Sequence, residues 1–267
     1  FGRSAIIRLP HAKRPMSIMQ PVHCWPCISC RQARLRQPLI KPCTGVFMAA
    51  PRFSIITCTW NSQAWLPESI ASVLQQEGPQ YEYIFVDGGS TDDTLTQIAA
   101  ITRPVTLIKN IRGGISHAMN CGLAAATGDI VAHLHSDDFY LRHDVLDFVD
   151  RSFSVSGCRW LFGRTLRCIN GELYPEGWQA PRHTRQRLLR GNFIPHPATF
   201  VARELMQQAG GFDTALRYAM DYDLWLRLAD ITPPLQTELP LAAFREHAGS
   251  LSTTNRLAAM QKTYKCV

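Results

Sequence analysis

The chain has 267 residues, 46% of them hydrophobic, which is enough for one α/β domain with a buried core. It holds no run of about 18 apolar residues, so no segment reads as a membrane-spanning helix. The net charge of +7 points towards nucleic acid, but residues 1–50 carry eight basic side chains and no acid, leaving 20 basic against 21 acidic residues in the remainder. No nucleic-acid partner is expected from a body so balanced.

Residues 1–50 read as a basic extension, either a disordered leader or upstream sequence from a misplaced start, with Met48 as a natural beginning. Cys24, Cys27, Cys30 and Cys43 leave a zinc site open, although the usual two separated Cys-x-x-Cys pairs are missing. Cys58, Cys121, Cys158, Cys168 and Cys266 lack framework spacing and suit reduced thiols in a cytoplasmic protein.

From residue 53 strand and helix patterns alternate. An apolar strand over 53–59 is followed by a helix opened by Pro67-Glu68, with Ile70, Val73 and Leu74 on one face. A second strand, 81–86, runs into Asp87-Gly88-Gly89-Ser90-Thr91-Asp92-Asp93-Thr94. That loop delivers a carboxylate to a strand end, the edge where open α/β sheets bind ligands; its glycines permit a tight turn. Ser90 and Asp93 read as an N-cap and its capping-box partner, and the plainer reading of the whole loop is a well-capped turn without a ligand.

A helix over 95–100, a strand over 105–108 and a helix over 115–126 come next. Gly113 and Gly114 precede that third helix, and His117 in its first turn suits a diphosphate near a helix N-terminus, with Arg112 able to assist. The strand that follows ends in Ser136-Asp137-Asp138. Adjacent carboxylates repel, and a hard cation such as Mg²⁺ or Mn²⁺ absorbs that repulsion; capping of the next turn is the alternative. Alternation of this kind predicts a parallel sheet with both acidic motifs on one edge.

The second half is less regular. It offers a helix from 145, a strand over 160–165, a basic helix near 182–190, and Pro195-His196-Pro197-Ala198-Thr199-Phe200. A helix over 204–209 stops at Gly210-Gly211, and Asp221 begins another with helical spacing in Leu224, Trp225 and Leu228. His196 reads as a structural or acceptor-pocket histidine, and His133 and His135 share a strand face without needing a metal. The arginines at 182, 185, 187 and 190 form a solvated face, or hold a lipid-diphosphate acceptor at a membrane surface.

Taken together, Ser54-Ile55-Ile56-Thr57-Cys58-Thr59-Trp60-Asn61, the Asp87 loop, Gly113-Gly114-Ile115-Ser116-His117-Ala118-Met119-Asn120, Ser136-Asp137-Asp138, the His196 segment and Gly210-Gly211-Phe212-Asp213 leading to Asp221 resemble the family two inverting glycosyltransferases of bacterial polysaccharide assembly. The resemblance covers 51–252, leaving 253–267 as a C-terminal tail with a truncated look. It implies a GT-A fold: an α/β, Rossmann-like, mainly parallel sheet flanked by helices, as a single domain.

It also implies a nucleotide-sugar donor, UDP first among the choices, a saccharide or lipid-linked acceptor, and cytoplasmic location, peripheral at the inner face of the membrane. Asp87 matches an acid that contacts the base, and Thr59 and Asn61 lie at the nucleotide edge. Asp138 matches a ligand of Mn²⁺ or Mg²⁺, with Asp137 turned to the ribose or sugar. Asp221 is similar to the catalytic base, with Met220 replacing the acid before it, and His247 resembles a histidine that closes over the metal or diphosphate. A sugar nucleotidyltransferase or another nucleotide-binding α/β protein is the alternative, but the glycine-rich phosphate loop it needs after the first strand is replaced by Thr59-Trp60-Asn61-Ser62.

Overall fold

The computed structural model describes residues 50–177 and 180–249. The basic extension with its four cysteines, Met48, and the tail over 253–267 lie outside the described residues. The parallel arrangement holds where the alternation was regular. β1 (Phe53–Thr59) pairs in parallel with β2 (Tyr81–Asp87) on one side and β4 (Ile130–His133) on the other, and β3 (Thr106–Ile108) adds to β2. The register sets Thr59 opposite Asp87, so the first two loops leave the sheet side by side.

Every residue of β1 is buried, because helices cover both faces of the sheet. Phe53 and Ile55 join one core with Tyr83, Phe85, α1 (Leu66–Leu74) and α4 (Val145–Ser156); Ile56 and Cys58 join the other with α3 (Ile115–Ala125) and α7 (Met220–Ile231). This period of two is what a pleated strand imposes on a sequence buried on both sides.

Beyond β4 the pairing changes sense. β8 (Thr199–Ala202) is antiparallel to β4, and β6 (Trp160–Ile169) is antiparallel to β8. β9 (Leu235–Glu246) then runs parallel to β6, with β5 (Phe139–Tyr140) antiparallel to β9 at the edge and β7 (Glu172–Pro175) forming a hairpin with β6. The sequence concealed β9 because Pro240 sits inside it. Prolines are confined to strand edges and bulges, and here the register shifts between β6 and β9 next to the Arg164–Pro240 pair.

Three local expectations change. The basic helix is only α5 (Arg185–Leu188), begun by Thr184, whose side chain accepts the Arg187 N–H. The fourth helix continues to Ser156 and stops at Gly157 in the left-handed conformation. Ser90 does not cap α2 (Thr94–Ala99); its hydroxyl turns back to Asp87, and Asp92 instead accepts the Thr94 N–H at 3.1 Å. α6 (Arg203–Gln208) ends as expected at Gly210-Gly211.

α3 reaches the sheet closely because Gly122 faces it: a Cβ there would lie 2.4 Å from Ile56 Cγ2 and 3.2 Å from Val86 Cγ2. Gly122→Ala gains up to about 1 kcal/mol of helix propensity. Overpacking costs about 1–3 kcal/mol, so a net loss of stability is expected in urea denaturation, with α3 pushed off the sheet. A Gly122→Ala variant at least as stable as the parent would show that the sheet yields at this contact.

Candidate active site

The loops after β1, β2 and β4 and the end of β9 meet on one edge of the sheet. The first two are stitched together. Asp87 is fully buried, and its Oδ1 accepts hydrogen bonds from the Thr59 hydroxyl (2.9 Å) and the Ser90 hydroxyl (2.5 Å). Its Oδ2 accepts the N–H groups of Gly89 (2.8 Å) and Ser90 (2.9 Å). Burial opposes the charge, but the bonds from Ser90, Gly89 and Thr59 outweigh it and hold the carboxyl below the usual carboxylate range.

Asn61, at φ +48°, completes the knot by accepting the Thr91 N–H at 2.9 Å, while its own N–H donates to Ser90 Oγ at 2.9 Å. Thr59, Asn61 and Asp87, the residues expected at the nucleotide, are thus tied into one loop structure. Their polar groups are engaged with one another, and both Asp87 oxygens already accept two hydrogen bonds, which leaves a scaffold for the loop. Trp60, between them, is 67% exposed and packs beside Gly88, an indole left in water directly after a fully buried strand. Arg112 lies over Gly89, whose φ of +94° and closeness to the guanidinium exclude a side chain.

Gly113 and Gly114 both have positive φ and introduce α3, where exposed His117 packs against Gly113 with its Nε2 3.7 Å from Cys121 Sγ. These lie on the same edge as the knot, since Ile111 N donates to Asp87 O at 2.9 Å.

The acidic turn after β4 separates its two carboxylates. Asp138 is 1% exposed, and its Oδ1 accepts the backbone N–H of Arg245 at 3.0 Å. Burial and the neighbouring Asp137 charge hold its carboxyl well above the usual range, against the opposing pull of Arg245. Asp137 is partly open and its Oδ2 meets His247 Nε2 at 3.0 Å. Of the two carboxylates expected at the metal and the donor, the one beside His247 is Asp137, while the peptide N–H of Arg245 holds Asp138 in the core.

Asp221 is the second residue of α7, within electrostatic reach of His135. Ala219, two residues before Asp221 and just ahead of the helix, takes φ +58°, a conformation costing an L side chain on the order of 1 kcal/mol. Burial raises the Asp221 carboxyl, while N–H groups of its own helix turn, Asn192 Nδ2 at 3.2 Å and the nearby His135 oppose the rise. Asp221 lines a pocket of about 300 Å³ with Arg164, Glu176, Asn192, His196 and Phe244.

His135 lies within electrostatic reach of both Asp137 and Asp221, and its ring stacks on His196 with centroids 4.7 Å apart and planes 8° from parallel. His133 stands behind them; burial depresses it to about 3 and also lowers His135 and His196. The three rings are therefore neutral at physiological pH. Among the described residues no three His, Cys, Asp or Glu side chains gather as a metal cage, and Asp137 with His247 is the pair available.

A family model, glycosyl transferase family 2, matches residues 54–158. The PGL/p-HBAD biosynthesis glycosyltransferase of Mycobacterium bovis (strain BCG / Pasteur 1173P2) is 31% identical over 216 residues, which cover 77% of this chain and 81% of that protein. The chain belongs to glycosyltransferase family 2. It is a glycosyltransferase, and the nucleotidyltransferase alternative is set aside.

The GT-A fold is shared with solved structures. S. aureus TarS 1-349 in complex with UDP-GlcNAc matches with a TM-score of 0.63 at 21% identity, over 74% of this chain and 60% of that one. The mannosyltransferase PcManGT from Pyrobaculum calidifontis, in complex with GDP-Man and Mn²⁺, matches with a TM-score of 0.61 at 20% identity, over 80% and 62%. This chain spans less than two thirds of either solved chain.

If Asp87 is the scaffold of its loop, removing it costs stability before affinity. Asp87→Ala leaves two buried amides and two hydroxyls without their acceptor and is expected to lose at least about 2 kcal/mol. The sign of the pH dependence follows from the lowered carboxyl: its stabilisation is present above the unfolded value of about 4 and is lost as pH falls through the folded one. Acid denaturation of the variant should accordingly be shallower than that of the parent. An undiminished melting temperature with lost nucleotide affinity would return Asp87 to the binding surface.

Proposed function

We propose that the protein transfers a sugar, with inversion, from a nucleotide-sugar to a hydroxyl of a saccharide or lipid-linked acceptor. The observation that carries this reading is that Asp221, in a pocket, and Asp137, paired with His247, both lie within electrostatic reach of one ring, His135. That proximity supports reading Asp221 as the base and Asp137 with His247 as the cation-holding pair of one cleft.

In the transfer, Asp221 accepts the proton of the acceptor hydroxyl as its oxygen bonds to the anomeric carbon, and the bond from that carbon to the diphosphate breaks on the opposite face. A single displacement of this kind inverts the carbon and needs no covalent enzyme intermediate. The raised carboxyl of Asp221 suits the task, since a more basic carboxylate takes a proton more readily.

Asp137 and His247 would hold Mn²⁺ or Mg²⁺; one carboxylate and one imidazole suit an ion that takes its remaining ligands from phosphates and water. Bound there, the ion neutralises charge on the departing diphosphate. Asp138 supports the turn. Gly113, His117 and Arg112 stand at the entrance to α3, where amide N–H groups attract an anion, and the exposed Trp60 offers a stacking face for the base, with UDP the first nucleotide to test. The knot of Thr59, Asn61 and Asp87 keeps that platform in place.

Peripheral attachment at the inner membrane face is part of the same proposal. Arg182, Arg187 and Arg190 are exposed beside the pocket wall, whereas Arg185 is tied to Asp230 at 2.5 Å. No helix among the described residues is long and apolar enough to cross a membrane.

Two variants test the division of roles. Asp221→Asn is expected to keep donor affinity and lose transfer by about 10² or more, because only the proton acceptor is removed. Near-parental transfer would end the assignment. Calorimetry of UDP with and without Mn²⁺ separates the two turn carboxylates: Asp137→Ala and His247→Ala should abolish the metal dependence, while Asp138→Asn should retain it. The reverse pattern would restore Asp138 as the ligand.

A further inference from the structure

Asn192 follows Gly191 on the exposed loop between α5 and β8, and both arms of its carboxamide are engaged. Oδ1 accepts the backbone N–H of Ile194 at 3.1 Å, and Nδ2 donates to Asp221 Oδ2 at 3.2 Å. The first bond decides the second. An amide whose oxygen is held by a backbone donor presents only N–H groups on its other arm, so the orientation towards the carboxylate is dictated by the local backbone.

Among the described residues, Asn192 provides the one side-chain hydrogen bond to Asp221. The Tyr222 N–H in the first turn of α7 and His135 beyond β4 also act on the carboxylate, and His196 from the turn before β8, Arg164 from β6 and Glu176 beyond β7 line the same pocket. The residue before Asp221 is the uncharged Met220.

We propose that Asn192 is a positioning residue for glycosyl transfer: it holds one oxygen of Asp221 so that the other is presented to the acceptor hydroxyl. The proposal rests on the reading of Asp221 as the base. Its physical content is geometric, since a base displaced by about 1 Å can lose on the order of 10² in rate while substrate binding is untouched. Replacement at 192 should fold, because the side chain is exposed and its loop is anchored by the buried Phe193 and Ile194.

The test uses the full chain and the variants Asn192→Ala, Asn192→Asp and Asp221→Asn. Hydrolysis of UDP-N-acetylglucosamine and GDP-mannose, with water as acceptor, is followed against pH; Mn²⁺-dependent binding of UDP is measured alongside. Asn192→Ala should lower kcat by about tenfold to a hundredfold with UDP affinity unchanged. Asn192→Asp places a second carboxylate against Asp221 and should move the acid limb of the kcat profile up by about one pH unit or more.

Carbon-13 titration of the Asp221 carboxyl gives the same reading without turnover: it should rise in both variants, most in Asn192→Asp. An unmoved titration, or a kcat loss whose acid limb stays in place, overturns the positioning role. Should Asp221→Asn itself turn over normally, the base assignment fails instead, and the two failures are distinguishable.

Discussion

The guanidinium of Arg245 lies between the rings of Trp65 and Phe139, 4.7 and 5.2 Å from their centroids, and pairs with Glu68. It also donates to Asp137 O at 3.0 Å and Cys168 Sγ at 3.3 Å, while the Arg245 peptide N–H reaches Asp138. Burying a charge is costly unless its donors are occupied, and here two aromatic faces and several acceptors offset the lost hydration. The consequence is topological. One residue at the end of β9 ties that strand to the acidic turn and to the start of α1, and His247, two residues further on, reaches Asp137 only because Arg245 is anchored.

The same linkage explains why two adjacent aspartates behave differently. Asp138 is drawn inward to satisfy a peptide N–H in a dry environment, where its charge is disfavoured by burial and by Asp137. Asp137 is left at the surface of the cleft beside an imidazole. A turn that exposed both carboxylates would place two charges within a few ångströms of each other; sending one into the core relieves that repulsion. Asp87 shows the opposite outcome of burial: four hydrogen bonds are enough to keep it ionised.

Between Asp137 and Asp221 lie rings without charge. His133, His135 and His196 are kept neutral because a proton on any of them would have to be desolvated and would face its neighbours. An imidazolium in that position would form an ion pair with Asp221 and weaken it as a proton acceptor. Neutral rings add no charge beside Asp221 and stack closely, His135 on His196 with centroids 4.7 Å apart.

Much of this was legible in the chain itself. The apolar run of Phe53 to Thr59, the carboxylate at the end of β2, the glycines before α3 and the paired acids after β4 are local patterns, and local patterns determine the parallel half of the sheet and the edge on which the candidate site lies. The family followed from their order. What remained hidden depended on residues far apart in sequence. Pro240 disguised β9 until a bulge opposite β6 accommodated it. The choice between Asp137 and Asp138 was made by an N–H more than a hundred residues away, and Asp87 became a scaffold because Thr59 stands opposite it in the sheet. Asn192 carried no signal at all, since a lone asparagine after a glycine announces only a loop. Residue types determined which chemistry was available; long-range hydrogen bonding and burial decided which of two similar side chains faces the cleft.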